Sequence, residues 1–366
     1  MGLTDRNSAS GQTAAGSSRQ DEVIDVRNAD ERADEARRDQ GGDQGGDQAD
    51  DGRGAQSPTD IPAGGWKAVG KRVVTELKND HVSLLAAGVA FKALLALFPT
   101  IIAAITIWGL VADPEQIEQQ VDQFAGYLPD DISGIITDQM SAVAEGGTGA
   151  LSFALVISLA LALWSASGGM AGLMEGVNAA YNEVDRRKFP IKRGLALALT
   201  LGGIVFLLLT LGLIAVLPAA LGELGLGQAG ETAIRILQWP VLALLVIGSL
   251  GIIYKVAPDR DNPGFKWVSI GAVVATVLWL LGSAAFTLYV ENFGNFGETY
   301  GAFAGVIVLM LWLLLTGFVV LLGAEINAEQ ERQTQRDTTV GEPEPLGTRG
   351  ANAADTTPEQ YEGRQE

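Results

Sequence analysis

The sequence predicts an all-α, polytopic membrane protein with six transmembrane helices, amphipathic flanking helices and disordered tails. Three observations carry this. Apolar residues make up 48% of the chain with 46 glycines besides, although both ends are strongly polar. Six stretches between those ends reach the roughly 20 mostly apolar residues that a helix needs to cross a bilayer. The basic residues of the connections alternate in number along the chain, as residues sorted to one side of a membrane do.

The chain divides into an acidic N-terminal tail (1–60), a membrane domain (61–329) and a second tail (330–366). The first tail holds 7 Arg against 14 acids and the repeat GGDQGGDQ at 41–48. Such a segment buries too little apolar surface to offset its ordering entropy, so disorder is expected. It has no apolar core of the signal-peptide kind. In 64–80, Trp66, Val69, Val73 and Leu77 recur at helical spacing among Lys67, Lys71, Arg72 and Lys78, which suits a helix lying on an anionic leaflet. His81 follows, at an interfacial or capping position.

Span 1 covers 84–112 and contains Pro99, which removes an N–H donor and should kink the helix at the carbonyl of Leu95. The connection 113–149 reads as two short amphipathic helices divided at Pro129-Asp130-Asp131, a lid over the outer mouth or a gating or contact surface. Span 2 (150–181) is strongly apolar to about 166 and then runs through small residues. Spans 3 to 6 follow at 192–217, 237–257, 268–290 and 302–327, with Pro114, Pro190, Pro218, Pro240 and Pro258 beside proposed boundaries. The last tail, rich in Gln, Thr, Pro and Glu, is again expected to be disordered.

Lysine plus arginine in the successive connections number 4, 0, 5, 1, 3 and 0, which places both termini in the cytoplasm. Other counts remove function classes. There is no Cys, hence no thiolate metal site or cysteine nucleophile, and the single histidine cannot supply a multi-histidine zinc site or an acid–base pair. No metal, cofactor or enzymatic activity is expected. The net charge of −18 argues against nucleic acid.

Charge inside a span is costly and marks function or a structural pair. Lys92 lies about ten residues into span 1, roughly 15 Å deep at the helical rise, and is expected to face the bundle interior or a wet cavity. Glu175 in span 2 and Glu325 in span 6 are its candidate partners, in an ion pair that either fixes the bundle or lines a translocation path. Gly168, Gly172 and Gly176 share one helix face, as do Gly297, Gly301 and Gly305, and small residues at that spacing let helices approach closely.

Several motifs carry a family resemblance. Ala86-Ala87-Gly88-Val89-Ala90-Phe91-Lys92-Ala93-Leu94-Leu95-Ala96-Leu97-Phe98-Pro99, Trp164 with the Gly-rich run into Asn178-Ala179-Ala180-Tyr181, and Ile253-Tyr254 with Ala257-Pro258 resemble motifs of the YihY/BrkB family of bacterial membrane proteins. Tyr300-Gly301 and the closing Leu322-Gly323-Ala324-Glu325-Ile326-Asn327-Ala328 do so as well. The resemblance covers roughly 64–330 and departs from the family at Lys92, where an aromatic residue is usual. It implies six spans in the cytoplasmic membrane and adds Asn178, Tyr300 and Asn327 to the candidate intramembrane polar residues.

Members of that family have carried ribonuclease and virulence labels. One histidine, an acidic balance and no metal-ligand cluster give the ribonuclease label no support here. The expected partner is the lipid bilayer, and the expected role is moving, or helping to move, a lipid-like or amphiphilic substrate. The alternative is a non-transporting scaffold for envelope integrity. A homo-oligomer and protein partners stay open.

The topology has a direct test in this Cys-free background. A Cys at Gly147 should react with an impermeant thiol reagent in intact cells while one at Lys188 should not; the reverse pattern would invert the protein.

Overall fold

A computed structural model describes residues 51–109, 153–216, 227–261, 263–293 and 300–362. The tail to residue 50, the 113–149 connection, Pro114, Pro218 and Gly297 lie outside the described residues.

An amphipathic helix α1 (Ala63–Asn79) leads into six long helices: α2 (Val82–Gly109), α3 (Phe153–Ala180), α4 (Phe189–Leu211), α5 (Gly227–Val256), α6 (Phe265–Phe293) and α7 (Ala304–Gln333). Two short helices follow, α8 (Asn352–Asp355) and α9 (Pro358–Glu362). Among the described residues no strand forms; one isolated antiparallel bridge joins Pro263 to Thr339. Among the described residues, five helices are long and apolar enough to cross a membrane, over Val82–Ala104, Phe189–Ile214, Ile236–Val256, Phe265–Asn292 and Ala304–Gln333. Helix α3 matches them in length, but its C-terminal half carries Ser165, Ser167, Gly168, Gly169, Gly172, Glu175, Gly176 and Asn178, which dilute its apolarity.

Local chemistry sets the helix ends. The α1–α2 corner turns on His81, whose φ of 49° is the left-handed conformation, while its carbonyl accepts from the N–H groups of Leu84 and Leu85. Asn182 closes α3 in the same region of backbone space (φ 52°), which Asn tolerates better than most residues. Pro190 sits in the first turn of α4, where a missing N–H costs nothing. Two prolines lie inside helices. Helix α2 continues through Pro99, and α5 runs from Gly227 straight through Pro240, which is therefore an interior residue rather than a boundary.

Helix α7 is the central post, packed against α6, α2, α1 and α3, while α4 leans on α3 and α5 on α6. The core joins Val82, Ala86, Met174, Val177, Tyr181, Tyr254, Val268, Ala272, Leu321 and Ala324. Outward faces stay apolar, with Leu84, Leu95, Leu161, Leu244 and Leu281 each more than 60% exposed, the surface that a bilayer would cover.

The C-terminal segment departs from expectation. Residues 334–362 are packed across the charged end of α7 instead of standing off it. Gln335 N–H donates to the Arg53 carbonyl (2.9 Å), Thr334 Oγ1 to that of Ala55 (2.7 Å), and Asn352 N–H to Glu183 Oε1 (2.6 Å). Arg349, 4% exposed, donates to the carbonyls of Gln335, Arg336, Glu344 and Ala354 at 2.8–3.1 Å. The segment lacks the apolar residues that announce a core, and polar bonds to buried backbone groups hold it instead.

Arg349→Ala should therefore lower the unfolding free energy by about 2–3 kcal/mol, since it strips donors from several enclosed carbonyls. The exposed Arg336→Ala should change it by less than about 0.5 kcal/mol. Thermal unfolding in detergent measures both.

Candidate functional site

The intramembrane charges pair as one of the two expected alternatives. Lys92 on α2 reaches Glu175 on α3, with Nζ 2.5 Å from Oε2. Glu175 is also approached by Lys192 of α4 (3.7 Å), which lies 3.2 Å from Asp185. Glu325 is not part of this group. Glu175 stands five residues before the C-terminal end of α3, so the pair gathers nearer that end than the position of Lys92 alone suggests. A helical side chain leans toward its helix N-terminus, which for α2 is the same end. The stem of Lys92 crosses α3 over Gly172, where any Cβ would collide with it.

Neither charge faces the bundle interior. The Lys92 and Glu175 side chains are 43% and 49% exposed, on a flank shared by α2, α3 and the start of α4. Of the two expected placements, bundle interior or wet cavity, the first does not hold: α7 lies at the centre of the bundle, and Lys92 sits to one side of it. Above the pair, the Arg193 guanidinium lies 4.2 Å from the Trp164 ring centroid and donates to the Trp164 carbonyl, which also accepts from Ser167 Oγ (2.7 Å). Trp164 and Glu175 are eleven residues apart, three helical turns, and so share a face of α3.

The other candidates belong to a second, enclosed site at the base of the bundle. Asn178 Nδ2 donates to Met174 O and its Oδ1 accepts from Asp259 N–H, both at 2.8 Å, which ties α3 to the α5–α6 turn. Asn327 Oδ1 accepts from Gly271 N–H (2.8 Å) and its Nδ2 donates to Val268 O (3.2 Å), which locks α7 on α6. Close approach of Gly271 and Gly323 makes this contact feasible, since a Cβ at either would meet backbone of the other helix. Tyr254 Oη donates to Val320 O (2.7 Å) in the same layer. Tyr300 lies far away, 46% exposed at the opposite end of α7.

The glycine expectations divide. Gly172 and Gly176 meet Lys92 and Leu321, and Gly169 rather than Gly168 meets α2 at Ala96. Gly168, Gly301 and Gly305 have open space where a Cβ would go, so none of these three is at a close helix contact.

Around the last turns of α7 the charges are fully enclosed. Arg260 and Glu331, both with buried side chains, pair at 2.7 Å; Arg72 reaches Glu329 at 2.6 Å, and Arg332 holds the other oxygen of Glu329. Arg187 pairs with Asp259 at 3.0 Å. Burial holds the Asp80 and Glu183 carboxyls above the usual carboxylate range, reinforced for Asp80 by the neighbouring Glu76 and opposed for Glu183 by the Asn352 N–H. Sequence reading missed this layer. From sequence, Arg72 is a basic residue of the surface helix, Arg260 a loop charge and Glu329 the last residue of the membrane domain, while Glu331 and Arg332 fall in the tail expected to be disordered. Their one signal was position: acids and a base spaced along the helical continuation of an apolar span. Among the described residues no group of three or more His, Cys, Asp or Glu could hold a metal ion.

Comparison with known proteins places these motifs. A family model described as Virulence factor BrkB matches residues 73–346, which reaches beyond α7 into the packed C-terminal segment. The putative ribonuclease-like protein YfkH of Bacillus subtilis is 33% identical over 248 residues, 66% of this chain and 87% of that protein. A UPF0761 membrane protein of Photobacterium profundum is 28% identical over 283 residues, 73% of this chain and 82% of that protein. A third, from Rhodospirillum centenum, is 28% identical over 266 residues, 70% of this chain and 56% of that protein. No solved structure matches the chain. With its motifs, its long apolar helices and three quarters of its length matched, the chain belongs to the Virulence factor BrkB family of membrane proteins.

Proposed function

We propose that this protein spans the cytoplasmic membrane six times, with α3 as the second span and both termini in the cytoplasm, and moves or helps to move a lipid-like amphiphile. The observation that carries the reading is the half-exposed charge site on the α2–α3–α4 flank. Two cations, Lys92 and Lys192, approach the embedded carboxylate Glu175 there, with Asp185 beside Lys192, while Arg193 stacks on Trp164 further along α3. Charge within an apolar span is expensive to keep and a lateral, lipid-facing placement suits an anionic head group entering from the leaflet. Leu95, one turn from Lys92 and 61% exposed, continues the flank as apolar surface for acyl chains.

This reading is non-enzymatic. The single imidazole, His81, stands exposed at the α1–α2 corner without a second acid–base group of its kind, so the ribonuclease-like name of the Bacillus relative is not carried over. One observation favours a non-transporting scaffold instead: the base of the bundle is closed by the Gly271–Gly323 approach and by the C-terminal segment, and Glu325 does not join Lys92 and Glu175 in one polar path.

Reconstituted full-length protein in liposomes with a labelled anionic phospholipid separates the two. Transfer of label between leaflets is expected for the wild type and not for a scaffold. Lys92→Met should lower unfolding free energy by about 1 kcal/mol, because the pair is half exposed and Lys192 still approaches Glu175, and Lys92→Met with Glu175→Gln should recover most of that. The restored double variant should still fail to transfer label. Full transfer by it would remove the flank from the path and reduce the pair to a structural role.

A further inference from the structure

Where α7 meets the α1–α2 corner, four carboxyl groups gather against two cations. The carboxyls are Glu76 of α1, Asp80 at the corner, and Glu325 and Glu329 of α7; the cations are Arg72 of α1 and Arg332 of α7. Both guanidinium groups are committed to Glu329, Arg72 at 2.6 Å and Arg332 on the other oxygen. Arg332 continues to Asn182 Oδ1 (2.7 Å) and lies 3.8 Å over the Tyr361 ring. Glu76 accepts from Tyr361 Oη (2.8 Å) and from Asn79 Nδ2 (3.1 Å). Asp80 accepts a bond from Asn182 Nδ2 (3.1 Å).

Glu325 is the exception. It is 0% exposed and neither carboxylate oxygen receives a hydrogen bond. Asp80 and Glu329 are its charged neighbours of like sign and Arg332 its neighbour of opposite sign. A buried carboxylate without donors, beside a second carboxylate, is not sustained in low dielectric; such pairs take up a proton and share it.

We propose that Glu325 and Asp80 bind one proton between them, so that the protonated carboxyl donates to its ionised partner and latches α7 to the α1–α2 corner. The atoms balance without a further reactant: one O–H···O bond forms when the proton arrives from water, and two like charges are left facing each other when it goes. The groups that face the pair are Arg72 and Glu76 from α1, exposed His81 at the corner, Asn182 after α3, Glu329 and Arg332 from α7, and Tyr361 from α9. Glu76 adds a third negative neighbour, and burial together with Glu76 keeps the Asp80 carboxyl above the usual range. The corner itself is a tight reversal through His81 at φ 49°, so a bond to Asp80 bears on how α1 and α2 meet. The sign follows from linkage. A carboxyl whose folded-state affinity for protons is raised stabilises the fold at low pH, and that stability disappears as pH rises through the shifted value.

The test uses the full chain in detergent. Infrared spectra of the wild type should show the carbonyl stretch of a protonated carboxyl at neutral pH, and that band should titrate away at higher pH together with a fall in melting temperature. Glu325→Gln keeps a donor toward Asp80; it should lack the band and melt independently of pH over the same range. Asp80→Asn should likewise flatten the pH profile, so a folding failure in one variant leaves the other to decide, and the wild-type titration stands without either. A wild type without the band at neutral pH would overturn the proposal, as would Glu325→Gln retaining both band and pH slope. So would sodium at fixed pH raising the melting temperature of the wild type and not of Glu325→Gln, since the bound cation would then be a metal ion.

Discussion

Most of the buried charges at the C-terminal end of α7 are met by groups from outside that helix, and this requirement organises the protein. Helix α7 enters as an apolar span and leaves as Glu325-Ile326-Asn327-Ala328-Glu329-Gln330-Glu331-Arg332-Gln333 while still enclosed on all sides. No single neighbour could satisfy that run. Arg72 comes from the surface helix, Arg260 from the α5–α6 turn, Asn182 from the α3–α4 turn and the backbone of 51–55 from the N-terminal side. The helices meet there because the charges must be met. Removing one member of such a pair costs about 3–5 kcal/mol, comparable with a large part of a domain's net stability.

The same rule explains why the two polar sites differ. At the base, pairing is complete enough to fix α7 against α6 and α1, and Asn178 and Asn327 serve as backbone locks. On the flank, Lys92 and Glu175 satisfy each other but keep nearly half of their surface exposed, within a helix that is otherwise apolar. A structural pair gains nothing from that exposure, whereas a group that meets a passing head group requires it. The two sites share α3, with Glu175 and Asn178 three residues apart on it.

What the sequence made legible follows from periodicity and cost. Long apolar runs fix helices whatever they pack against, so α2, α4, α5, α6 and α7 stood out, and α3 was found although its polar half weakens it as a span. The rarity of charge in spans pointed to Lys92 with either Glu175 or Glu325, and the structure pairs it with Glu175. Orientation was not legible: depth alone leaves bundle interior and wet cavity open for Lys92, and it is Gly172 that lets its stem cross α3 to the flank. The C-terminal segment was misjudged for a related reason. Disorder was read from the lack of apolar residues, but this segment is held by Arg349, Thr334 and Asn352 bonding to enclosed backbone and carboxyl groups, and no hydrophobic pattern records that. The glycine contacts that matter, Gly271 with Gly323, sit on different helices and share no sequence spacing.

The dependence of the fold on charge compensation along α7 is tested most directly by a double-mutant cycle on Arg260 and Glu331, a fully buried pair that joins α7 to the α5–α6 turn. The variants are Arg260→Met, Glu331→Met and both together, with unfolding free energy read in detergent. Each single change should cost about 3 kcal/mol or more, and the double change should recover most of it, giving a coupling above about 2 kcal/mol. Additive losses, or single losses near zero, would mean that water or lipid already compensates these charges and that the helices are held at their base by something else.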